Sequence, residues 1–138
     1  MNQVPDACTV EVDRRLLPGE NREQVWAEFQ ELITQLQTQD PELDIQMEPP
    51  LLEDFPLESS PADRIVQVVS KVSEDVRGLN RLAGVPYGSD ASKLARAGIP
   101  SIILGPGNID QAHAADEFVD LDQVVLAAEI YARTILEF

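Results

Sequence analysis

Prolines stand at positions 49, 50, 56 and 61. Each removes a backbone N–H, fixes its own φ and pushes the preceding residue out of the helical region. Neither a helix nor an inner strand can therefore run through 49–61. With Glu53, Asp54 and Glu58 among the prolines, the stretch reads as a stiff, partly extended connector. The chain is expected to fold as two pieces, 1–48 and 62–138, with 49–61 between them.

The first piece reads strand, helix, strand. Residues 7–12 (Ala-Cys-Thr-Val-Glu-Val) are β-rich and alternate toward their end. Pro18-Gly19 marks a turn. Asn21 is placed to cap a helix starting near Arg22, with Glu23 in its first turn. Val25, Trp26, Phe29, Leu32, Ile33 and Leu36 recur at helical spacing, an apolar stripe expected in a core. Asp40-Pro41 stops the helix. Leu43, Ile45 and Met47 then alternate with Asp44, Gln46 and Glu48, the pattern of a half-buried strand.

The second piece alternates helices and short strands, the sign of an open α/β sheet. Pro61 suits a first helical turn, Ile65, Val66, Val68, Val69, Val72 and Val76 follow, and Arg77-Gly78 suits the end. Residues 83–87 read as a short strand, and Gly88-Ser89-Asp90 as a turn into a helix over 91–97 closed by Gly98. Residues 99–104 lack alternation, as a strand covered on both faces would. Gly105-Pro106-Gly107 turns the chain sharply. A final helix over 121–138 offers Val124, Val125, Ala128, Ile130, Tyr131, Ile135 and Leu136 as core. In open α/β sheets ligands bind beyond the carboxyl ends of the strands. The 88–90 turn and the 105–113 loop both fall there.

Charge narrows the function. With 25 acidic against 10 basic residues the net charge is -15, a field that repels nucleic acid and anionic membrane surfaces. No stretch reaches the length of a membrane span. Cys8 is the one cysteine, so no internal disulfide forms and a reducing compartment is the simpler expectation. Residues 1–9 lack the basic and apolar regions of a leader, so a cytoplasmic soluble protein is expected.

Few residues carry chemistry. His113, the sole histidine, follows the 99–104 segment. It can ligate zinc or move a proton, or it can be an ordinary loop histidine, the reading with more weight on chemistry alone. One imidazole does not close a zinc site. Gly88 and Ser89 with Asp90 can hold an anion on free backbone amides, although helix capping explains them as well. Arg14 and Arg15 can fork onto a carboxylate, or simply pair with Asp13 or Glu20 at the surface. Cys8 fits a small buried hydrophobe better than a nucleophile.

Taken in order, the pieces resemble one family. Asn2-Gln3-Val4-Pro5-Asp6, Asp13-Arg14-Arg15 and Pro18-Gly19-Glu20 resemble the second half of the lid, or dimerisation, domain of the acetylornithine deacetylase, succinyl-diaminopimelate desuccinylase, aminoacylase and carboxypeptidase-G family. Tyr87-Gly88-Ser89-Asp90-Ala91, Ala97-Gly98-Ile99-Pro100, Leu104-Gly105-Pro106-Gly107 and Ala112-His113-Ala114-Ala115-Asp116-Glu117-Phe118-Val119 resemble the closing segment of its catalytic domain. The resemblance covers essentially the whole chain and does not single out a substrate. It implies an α/β fold, an α+β lid piece over 1–48 and part of an open catalytic sheet over 62–138. It also implies a hydrolase of N-acyl amino acids or peptide-like amides that uses two zinc ions, with cobalt a workable substitute, and a homodimer formed through the lid. By resemblance His113 is the last metal ligand, Arg15 binds the substrate carboxylate, Asn2 reaches the site, and Gly88 and Ser89 line the substrate pocket. Glu117 is assigned a supporting role behind His113, as an inference added to the resemblance.

The departure is large. The family's His-x-Asp pair, bridging aspartate, Glu-Glu pair with the general base, further acidic ligand and lid histidine would all lie before Met1. No catalytic residue is therefore assigned on this chain, which is expected to be inactive alone and to hold zinc weakly. A non-catalytic dimerisation or interaction module, or the C-terminal chain of a split enzyme, are the alternatives.

Overall fold

Asn21 sets the start of the first helix by local chemistry. Its side-chain oxygen accepts from the backbone N–H groups of Glu23 (2.8 Å) and Gln24 (3.1 Å), satisfying two donors that a helix start leaves bare. The structure is a computed structural model that describes residues 5–138. It forms two compact units that meet between Leu51 and Leu52, inside the proline-rich stretch.

In the first unit, helix α1 spans Arg22–Gln39 and ends at the Asp40 cap, where the N–H bonds Leu36 O. Before it, Leu17-Pro18-Gly19-Glu20 closes a turn with Glu20 N–H to Leu17 O at 3.0 Å, and Gly19 has φ +85°. Proline followed by a left-handed glycine is the type II pattern. The apolar stripe of α1 is not a core. None of its residues is buried; Val25, Trp26, Phe29 and Ile33 are half-covered, while Leu32 and Leu36 are exposed. After the helix, Ile45 and Met47 are half-covered while Leu43 is exposed, so the expected alternation is realised only in part. The Gln37 side-chain amide reaches the Leu43 and Ile45 carbonyls at 3.4 Å, bringing this segment alongside α1.

The second unit is organised by α2 (Arg64–Arg77) and α4 (Leu121–Glu137), which pack together. Val66, Val69 and Val72 recur every third residue of α2, and they form the buried core with Ala127 and Ile130 of α4. Lys71 Nζ pairs with Glu137 Oε2 at 2.7 Å, and the Arg64 guanidinium lies 4.7 Å over the Phe138 ring. Helix α2 starts three residues after Pro61, on Asp63, and ends at Gly78, whose left-handed φ of 65° returns its N–H to Glu74 O. Helix α3 (Ala91–Arg96) ends in a Schellman motif: Ile99 N–H bonds Leu94 O and Gly98 N–H bonds Ala95 O, with Gly98 at φ +81°.

The expected strands differ from what forms. Residues 7–12, 43–48, 83–87 and 99–104 carry no ladder, and among the described residues no β-strand is present. Among the described residues, backbone hydrogen bonds outside the helices join only residues near in sequence. A helix satisfies its own backbone, but a strand needs a second one alongside. The 99–104 segment is half-covered rather than sealed on both faces, with Ile99 53% and Ile103 38% exposed. Of the residues expected as core on α4, Ile130 alone is buried; Val125, Ile135 and Leu136 face outward. The stretch 49–61 is also more than a connector. Its second half lies along the second unit, with Ser59 donating to the Ser101 carbonyl and Phe55 stacked 3.9 Å beneath the Arg96 guanidinium.

Candidate functional site

The second unit has a cleft of about 310 Å³ beside the loop that carries His113. Its lining includes Tyr87, the turn from Leu104 through Gly107, Ile109, Glu117 and Phe118. The turn is positioned from α4. Gly107 N–H donates to Gln123 Oε1 (2.9 Å), and Tyr131 Oη donates to Leu104 O (2.7 Å). Tyr131, expected in the core, instead lies 42% exposed with its hydroxyl at the turn. A Cβ on Gly105 would sit 3.8 Å from the Tyr131 hydroxyl, and one on Gly107 only 3.4 Å from Val119 Cγ2. With φ +89°, Gly107 has a conformation that side-chain residues rarely adopt.

Beyond the turn, the Asn108 side chain accepts from Asp110 N–H and starts one turn of 3-10 helix, Ile109–Gln111. His113 follows at φ 60°, the single non-glycine residue with positive φ among those described. Its backbone N–H donates to Glu117 Oε2 at 3.2 Å. Glu117 thus engages the main chain of His113. His113 is exposed, between the lining residues Ala112 and Glu117 in sequence.

The other expected site residues are distributed as follows. Gly88 and Ser89 adjoin Tyr87 without lining the cleft themselves. Ser89 Oγ accepts from Ala91 N–H at 3.3 Å, and the buried Ser92 hydroxyl lies 2.9 Å from Ser89 O and 3.1 Å from Asp54 Oδ1. Asp90 makes no side-chain cap; it pairs with Lys93 at 2.7 Å and, with Asp54 adding, holds that ammonium above the ordinary 10.5 of lysine. Arg15 belongs to the first unit, exposed and paired with Asp13 at 2.8 Å. Its neighbour Arg14 takes Glu20 at 2.6 Å. The Arg14 bond, then the Leu17 N–H, hold the Glu20 carboxyl below its ordinary 4.5. Asn2 lies outside the described residues. Cys8 is exposed rather than buried, because the segment around it is uncovered. Gln123 and Tyr131 went unseen in the sequence, since an exposed glutamine and a tyrosine on an amphipathic helix carry no signal of the loop they hold.

The donors among the described residues do not by themselves make a site for a zinc pair. Among the described residues no three His, Cys, Asp or Glu side chains gather to hold a metal ion. None of the helices there is long and apolar enough to cross a membrane.

Comparison with known proteins decides the lineage. The model of peptidase family M20/M25/M40 matches residues 6–137. The chain belongs to this family. It is 24% identical to an acetylornithine deacetylase of Myxococcus xanthus and 27% identical to one of Proteus mirabilis, each over 99% of the chain and 34% of the relative. It is also 28% identical to the N-formyl-4-amino-5-aminomethyl-2-methylpyrimidine deformylase of Bacillus subtilis, over 98% of the chain and 34% of that protein. The chain thus spans about a third of the length of these relatives. No solved structure matches it. The M20 family fits an α/β fold, of which the described residues show the helices as formed elements.

Proposed function

We propose that the chain is the C-terminal part of a metal-dependent amide hydrolase whose complete form removes the acyl group from an N-acyl amino acid. Carboxypeptidase-like cleavage of a peptide amide is the neighbouring reaction. The observation that carries this reading is the family match over 6–137, which includes both the cleft and the His113 loop. In this assignment 1–48 is the second half of a lid, 49–61 the connection and 62–138 the end of the catalytic domain. Arg15 takes the substrate carboxylate; its guanidinium is exposed and, among the described residues, pairs with Asp13, leaving it accessible to a second carboxylate. Asn2 reaches toward the same substrate. Gly88 and Ser89 shape the pocket next to Tyr87, and the Ser89 proton remains available to donate, because its oxygen is the acceptor for Ala91.

His113 supplies one imidazole to a site that holds two zinc ions, or cobalt in their place, in the complete enzyme. Glu117 steadies its backbone. The remaining ligands and the general base belong to another segment, and no catalytic step falls to a residue of this chain. The half-covered stripe of α1 supports a homodimer through the lid, and the lone thiol of Cys8 supports the cytoplasm.

The test is complementation. The chain is co-produced with the remaining portion of the Myxococcus xanthus acetylornithine deacetylase and assayed on N-acetyl-L-ornithine. The purified chain alone, with zinc or cobalt, should give background turnover, and the copurified pair should be active. Failure to copurify, or an inactive pair, counts against the placement. Metal-dependent turnover by the chain alone, lost in His113→Ala, would show that the site is complete without a partner segment.

A further inference from the structure

The turn at 104–107 has little with which to hold itself. Gly105 and Gly107 have no side chains, and Pro106 has no N–H. No backbone–backbone hydrogen bond closes the turn among the described residues. Its donor at Gly107 and its acceptor at Leu104 go instead to two side chains of α4, Gln123 at 2.9 Å and Tyr131 at 2.7 Å. These residues stand two turns apart, roughly 12 Å along the helix axis. Between them in sequence lie Ala127 and Ile130, the α4 residues buried against α2. One helix therefore places its packed residues against the core and, flanking them, two polar groups against the turn.

We propose that Gln123 and Tyr131 are positioning residues. They fix the backbone of the turn to the packed α2–α4 pair, and so set the wall of the cleft and the direction in which the chain departs toward His113. That the cleft serves an acyl amino acid rests on the function proposed above; the bracket itself does not.

Amide–water exchange measured by NMR on the full 138-residue chain tests it. In Gln123→Leu the Gly107 amide should exchange about fivefold faster, the loss of one ordinary hydrogen bond. Gln123→Glu, which keeps an acceptor oxygen, should restore the slow rate. Tyr131→Phe should shift the Gly105 amide resonance, whose nitrogen is bonded to the Leu104 carbonyl. Amides of α2 should keep their rates in all three variants, which a merely structural role would not allow. Unchanged Gly107 exchange in Gln123→Leu, or an equal rise throughout α2, overturns the proposal. In the complemented enzyme, Gln123→Leu should raise KM more than it lowers kcat, and unaltered kinetics would show that the bracket does not serve the site. An inactive wild-type pair would instead remove the functional reading while leaving the exchange result standing.

Discussion

The Glu117 carboxylate holds His113 by its backbone: Oε2 accepts the His113 N–H at 3.2 Å, where φ is 60°. A left-handed residue with a Cβ costs roughly 1–2 kcal/mol. A fixed acceptor on its N–H offsets part of that and keeps the loop in one shape. The chemistry asked of Glu117 is acceptance, which an amide oxygen provides equally well. In the complemented enzyme Glu117→Gln should therefore stay within about twofold of wild type, while Glu117→Ala should lose roughly 10–100-fold, the scale for supports of a ligand. Equal losses in both variants would mean that the negative charge, rather than the bond to the main chain, matters.

Val72 is the most deeply buried side chain of the α2–α4 pair, with no exposed surface. Val72→Ala removes two methyl groups from a core built on few residues, which leaves little material to collapse into the gap. Stability should fall by about 2–3 kcal/mol. Urea denaturation measures this, and a loss well under 1 kcal/mol would show that the pair is not what holds the second unit together.

The Glu20 carboxyl is held below its ordinary value by its pairing with Arg14. Its folded carboxyl lies below the ordinary 4.5, so the Arg14 pair contributes fully above that value and is lost as pH falls below 4.5 through the lower folded value. An NMR titration should place the Glu20 midpoint below 4.5, and Arg14→Ala should move it upward. The group is solvent-exposed, so the melting temperature should barely change. A Glu20 midpoint that is the same with and without Arg14 would contradict the pairing.

What the sequence made legible was chemistry satisfied within a few residues. Asn21 caps α1, Pro18-Gly19 turns the chain, and Gly78 and Gly98 end their helices, because each of these is settled by the neighbouring backbone. The strands were not legible as formed elements, because a ladder at 99–104 needs a second backbone that the sequence pattern cannot supply. The α4 core failed for a related reason. The apolar residues of that helix spread around it, and only contact with α2 selects Ala127 and Ile130 over Val125 and Leu136. In the candidate site, the loop and its glycines could be found from their residue types. The bonds from Gln123 and Tyr131 could not, since they join positions 16 and 27 residues apart.

Arg15 separates recognition from stability. Its partner Asp13 is two residues away and both side chains are mostly in solvent, so removing the guanidinium should cost the fold little. In the complemented enzyme, Arg15→Ala should raise KM or lower kcat/KM by an amount corresponding to roughly 1.5–3 kcal/mol, the range for a hydrogen bond to a charged group. Unchanged kinetics with a large fall in melting temperature would reverse the assignment.

The central claim is that this chain brings one imidazole to a metal-dependent hydrolase site. The most direct measurement is the metal content and turnover of the complemented enzyme with His113→Ala. Loss of one side chain that binds the metal directly should lower metal occupancy at one of the two positions and reduce turnover to near background, while the pair still copurifies. Two firmly held metal ions and near-normal turnover in that variant would show that His113 is only a loop histidine and that the assignment is wrong.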